Sequence, residues 1–84
     1  MDLKFEFKKI RSSSSIVRVS VDENGNIQSI SSNDLQLEKK LLAEADSSDF
    51  KKFVKCIFSG SICSDQIDVF HNGKTVSYKV EQFA

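Results

Sequence analysis

The sequence predicts a single small α+β domain, residues 1–84, with element order β-β-β-α-α-β-β and one antiparallel sheet covered on one face by two amphipathic helices. Three observations predict it. Apolar residues alternate with polar ones near both ends of the chain, the period of strands. The middle third switches to the spacing of helices. The chain has no Pro and only three Gly, and each Gly falls where an element must end or turn.

Leu3, Phe5 and Phe7 alternate with Lys4, Glu6 and Lys8, which describes a half-buried strand. The alternation breaks at Lys9 and Ile10, and residues 11–15 (RSSSS) read as a polar loop. Val17, Val19 and Val21 alternate with Arg18 and Ser20 in a second strand. In the DENGN segment, a three-residue loop with left-handed Gly25 sets Val21 opposite Ile27 on one face. A two-residue Asn24–Gly25 turn would set Val21 opposite Gln28, so the longer loop is preferred. A short third strand, NIQSI, follows.

In SSNDLQLEKKLLAEA, Asn33 serves as N-cap, with Gln36 as its capping-box partner. Leu37, Leu41, Leu42 and Ala45 share one face, and Glu38, Lys39 and Glu44 face outward. The second helix takes Ser47 or Ser48 as N-cap, places Asp49 at its positive end and closes on Gly60. Phe50, Phe53, Val54, Ile57 and Phe58 fall at i, i+3, i+4, i+7 and i+8, the stripe of a helix that lids a sheet. In the final hairpin, Asn72–Gly73 makes a two-residue turn that pairs Val69 with Val76 and Ile67 with Tyr78. Asp68 with Ser77 and Phe70 with Thr75 then fall on the other face.

Twelve Lys plus Arg balance twelve Asp plus Glu, a composition unlike that of bulk polyanion binders. The charge is nevertheless segregated. Residues 1–21 carry five basic and two acidic groups, residues 22–50 two and seven, and residues 51–84 five and three. An acidic side and a basic side would suit docking to a protein. No signal peptide or membrane-length apolar run is present, so a soluble, cytoplasmic protein is expected, with Cys56 and Cys63 as reduced, space-filling thiols.

Catalysis finds no constellation. His71, the single His, sits in a turn without a nucleophile or carboxylate beside it. Cys56, Cys63 and His71 with Asp65 or Asp68 lack the paired spacing of zinc ligands, and SGSICSD is no phosphate loop. No enzyme activity, metal or cofactor is expected.

The expected function is therefore a non-enzymatic module that binds a larger protein by stoichiometric contact. Candidate contacts are Phe70, His71, Asn72 and Lys74 at the last turn, and the acidic residues Asp22, Glu23, Glu38, Glu44, Asp46 and Asp49. Phe70, Ile30 and Ile16 fall opposite the core pattern and would group with Phe83 as an apolar patch. A free edge on the first or last strand would allow strand addition or a homodimer, with Lys4, Lys8 and Lys79 readable instead as edge protection. The alternative is nucleic-acid binding through a basic face of Lys4, Lys8, Lys9, Arg11, Lys51, Lys52 and Lys55. Lysine outnumbers arginine ten to two, which favours phosphate over base contacts. Low Arg, together with abundant Lys, Ile, Phe, Ser and Asn, suits an AT-rich coding genome. A compact chain without catalytic motifs fits the inhibitors and accessory proteins of phages and mobile elements, anti-CRISPR proteins among them.

Overall fold

The computed structural model describes residues 1–9, 13–43, 49–71 and 73–83. Its elements are β1 (Asp2–Lys8), β2 (Ser15–Val21), β3 (Ile27–Ser32), α1 (Leu35–Ala43), α2 (Asp49–Phe58), β4 (Gln66–His71) and β5 (Lys74–Gln82). This is the predicted α+β order. The five strands form one antiparallel sheet in the order β3-β2-β1-β5-β4.

Both hairpin registers follow the sequence. Val21 stands opposite Ile27, with Gly25 at φ 81° in the loop between them. Val69 pairs with Val76, Ile67 with Tyr78 and Phe70 with Thr75, with Gly73 at φ 75° in the turn. The alternating residues Leu3, Phe5, Phe7, Val17, Val19, Val21, Ile67, Val69 and Val80 are buried with Leu37, Leu41, Phe50, Phe53 and Val54. One sheet face thus carries both helices, and no polar side chain is buried among the described residues. Four rings lock the centre edge to face. Phe50 meets Phe5 and Phe7 at centroid distances of 5.9 and 5.4 Å, and Phe53 meets Phe5 at 5.4 Å.

Several expectations are corrected. The first strand and the last are both interior, because β1 pairs with β5; the free edges belong to β3 and β4. Lys4, Lys8 and Lys79 therefore protect no edge. Ile30 does not lie opposite the core. A bulge after the Val21–Ile27 pair leaves Gln28 without a rung, so Ile30 stands opposite Val19 and packs against the core. Asp34, not Asn33, caps α1: its Oδ1 accepts the N–H groups of Gln36 and Leu37 at 3.1 and 3.2 Å. Asn33 is already engaged, its Oδ1 accepting the Ile16 N–H at 2.9 Å. Leu42 is 58% exposed, since the face of α1 that reaches the sheet is the one carrying Leu37 and Leu41. In α2 the stripe is buried at Phe50, Phe53 and Val54, half-buried at Ile57 and partly exposed at Phe58. Ala45 and the expected caps Ser47 and Ser48 lie outside the described residues.

Cys56 and Cys63 are not free thiols; they form a disulfide with Cα atoms 5.9 Å apart. The cause is the end of α2. Gly60, at φ 72°, receives the turn: its N–H donates to the Ile57 carbonyl and the Ser61 N–H to the Cys56 carbonyl. This pair of bonds reverses the chain after the helix and returns Cys63 to the last turn. Closing a loop of this size stabilises by about 2.5 kcal/mol in the chain-entropy picture. Such bonds are typical of oxidising compartments, so the cysteines lend no support to a cytoplasmic location. Among the described residues, no helix is long and apolar enough to cross a membrane.

Candidate functional site

The fold distributes the predicted site residues over three places. Phe70 lies on edge strand β4, 62% exposed, on the sheet face away from the helices, and Lys74 begins β5 across the turn. His71 pairs with Lys74 in the backbone register. Three rungs inward, the Ser77 hydroxyl donates to Asp68 Oδ1 at 2.6 Å. Asn72 lies outside the described residues.

The acidic residues do not form one surface. Asp22 and Glu23 sit at the start of β3 and Glu38 reaches its end, separated by the roughly 20 Å that a six-residue strand spans. Two of these carboxylates hold their own backbone. Asp22 Oδ1 accepts the N–H groups of Asn24 and Asn26, both at 2.9 Å, and Oδ2 accepts from the Asn26 side-chain amide at 3.3 Å. Glu38 Oε1 accepts the Ser32 N–H at 3.0 Å, so charge reversal there would disturb the entry to α1 rather than report on binding. Asp49 is exposed in the first turn of α2, while Glu44 and Asp46 lie outside the described residues.

The hydrogen bond from the Asn26 backbone, then those from Asn24 and the Asn26 side chain, and finally the nearby Lys55 charge, hold the Asp22 carboxyl below its ordinary value, against a smaller opposing effect of burial. A depressed folded-state value means that the ionised form supports the folded state. That support is complete above the unfolded carboxyl range near pH 3.8 and is lost as pH falls through the lower folded-state value. A carboxyl-carbon NMR titration is therefore expected to place the Asp22 midpoint below 3.8, and Asp22→Asn to flatten the acid limb of the stability curve. A midpoint at or above 3.8 would contradict the loop geometry.

The basic residues divide between the two faces of the molecule. Lys4 and Lys8 lie on the open sheet face. The Lys4 Nζ stands 5.1 Å from the Phe83 ring centroid. Lys8 lies 3.0 Å from Glu6 and 3.7 Å from Glu81, and its hydrogen bond to Glu6 raises its pKa above the ordinary lysine value. Lys79 completes this cross-strand set, 4.0 Å from Glu81. Arg18, which pairs across strands with Lys4, joins it in two shallow grooves floored by serines of β2 and β3. Lys51, Lys52 and Lys55 lie on the helix side instead, so the sheet separates them from Lys4 and Lys8. The single basic face expected from the sequence does not form. Lys9 is exposed after β1, and Arg11 lies outside the described residues.

The helix-side lysines do line a cleft. Lys51, Lys52 and Lys55 form one wall; Gly25, Asn26 and Ile27 form the other, enclosing about 470 Å³. The sequence had named the lysines but not this second wall, which the β2–β3 loop supplies. Gly25 is buried against Phe58, and a β-carbon built at Gly25 would lie 2.7 Å from the Phe58 Cδ1. Loop and helix thus meet at a contact that only glycine fits. Among the described residues, no three of His, Cys, Asp and Glu cluster as a metal site. No protein family, curated protein or solved structure matches the chain.

Proposed function

We propose that this protein is a non-enzymatic binding module that acts by stoichiometric contact with a larger protein, engaged along the free edge of β4 with Phe70 as the apolar anchor. One observation carries the reading: the strand that ends the sheet also presents the large aromatic side chain Phe70, 62% exposed, on the uncovered face. An edge strand offers backbone N–H and C=O groups to an incoming strand, and a protruding ring beside it supplies specificity. The other edge is less open, because the Glu38 carboxylate occupies the Ser32 N–H at the end of β3. Ile67 and Val69 point into the core, so Phe70 is the apolar side chain that β4 presents on the uncovered face.

The test is affinity capture from lysate of the source cell, with nuclease-treated and untreated arms. The wild-type chain is expected to retain a stoichiometric protein after nuclease, and Phe70→Ser to retain it at least about tenfold less, the effect of losing one anchor side chain. Equal retention by wild type and Phe70→Ser would remove β4 as the contact. Loss of all bound material on nuclease treatment would favour the nucleic-acid reading. Among the described candidates, that reading keeps Lys51, Lys52 and Lys55 together on the helix side, while Lys4 and Lys8 lie across the sheet.

A further inference from the structure

We infer that the cleft between the β2–β3 loop and α2 receives a carboxylate-bearing segment of the protein partner, Asp or Glu side chains meeting Lys52 and Lys55 on its α2 wall. The inference rests on the protein-binding reading above and adds to it a second contact with a stated chemistry. Its volume, about 470 Å³, falls in the range of clefts that hold a ligand of a few residues. The walls are fixed before anything binds. The three hydrogen bonds to Asp22 hold the loop, Gly25 seats it on Phe58, and the disulfide with the Gly60 turn holds the end of α2. A preorganised site loses little entropy on binding.

Charge complementarity selects the occupant. Lys52 and Lys55 are exposed and, among the described residues, have no carboxylate within 4.0 Å, although the Lys55 charge reaches Asp22, whereas Lys8 and Lys79 on the opposite face are paired with Glu6 and Glu81. A nucleic-acid strand fits less well. Its backbone needs a track of cations, and among the described candidates only Lys51, Lys52 and Lys55 line this cleft, with Lys4 and Lys8 across the sheet. Bases need an aromatic platform, but the apolar lining of the cleft is Ile27. The chain as a whole is neutral, so no long-range field gathers a polyanion. A short acidic peptide requires none of these.

The experiment uses the full chain and two fluorescent probes at low ionic strength, a hexaglutamate peptide and a twelve-nucleotide oligothymidylate. The peptide is expected to bind, and Lys52→Glu/Lys55→Glu to weaken it at least about tenfold, as several exposed charge pairs turn repulsive. Lys4→Glu/Lys79→Glu makes the same change of net charge on the opposite face and is expected to leave peptide affinity within about twofold. Should the glutamate double variant unfold, Lys52→Gln/Lys55→Gln gives the same comparison through loss of attraction alone. Equal weakening by both double reversals, or by neither, would overturn the cleft as the site. Tighter binding of the oligonucleotide, lost with the same lysines, would overturn the carboxylate assignment. Phe70→Ser is expected to leave peptide binding intact, so failure at β4 and failure at the cleft read out separately.

Discussion

Replacing Phe50 with alanine is expected to lower the unfolding free energy by about 3–5 kcal/mol. The ring is 1% exposed and lies between Phe5 and Phe7, edge to face with both. Its removal deletes a large apolar area from the core and leaves a cavity whose other walls are strands of the interior, β1 above all. Those strands are held in register on both sides and have little freedom to collapse inward. Part of the loss is specific to the ring geometry, since edge-to-face pairs add about 0.5–1.5 kcal/mol beyond their area. A domain of this size holds only about 4–13 kcal/mol in total, so the variant is expected to melt far below the wild type. Leu42→Ala is the companion measurement. Leu42 is equally apolar in sequence but 58% exposed, and its loss is expected to stay within about 0.5 kcal/mol. Chemical denaturation of both variants settles which face of each helix is structural, and comparable losses would contradict the packing described.

The contrast between Phe50 and Leu42 marks how far the sequence could be read. Local features were legible. The Val21–Ile27 and Val69–Val76 registers follow from turn chemistry and alternation, which act over a few residues. Strand order was not legible, because it rests on β1 pairing with β5, Phe7 opposite Val80, between opposite ends of the chain. Ile30 was assigned to the wrong face because one bulged residue inverts everything after it, and no propensity marks where a bulge falls. The disulfide was hidden by a spacing that looks unpaired until the Gly60 turn folds Cys63 back onto α2. The cleft divides in the same way. Its three lysines stand out in the sequence, but the wall facing them comes from a loop far away in the chain, brought there by the whole sheet.

That loop carries the second large effect. Gly25→Ala is expected to destabilise by about 2–5 kcal/mol, the sum of two costs. The residue sits at φ 81°, where a β-carbon costs about 1–2 kcal/mol. The added methyl would also lie 2.7 Å from Phe58 Cδ1, 2.9 Å from Cγ and 3.3 Å from Cβ. Because the Cβ is among these atoms, swinging the ring end aside is insufficient; α2 itself or the whole loop must withdraw, at about 1–3 kcal/mol. Gly60 and Gly73 separate the two costs. They have similar φ values, 72° and 75°, yet a β-carbon at either meets nothing within 4 Å. Alanine at those positions is expected to show the conformational cost alone. Placing Gly25→Ala in a Phe58→Ala background should bring its cost most of the way to that level, because the ring atoms at 2.7 and 2.9 Å are gone and only the Cβ at 3.3 Å remains. Equal losses at all three glycines would mean that the loop does not press on α2. Withdrawal of the loop also opens the cleft on the side of Asn26 and Ile27, so the surviving folded fraction of Gly25→Ala is expected to bind the glutamate peptide more weakly, although no lysine has changed.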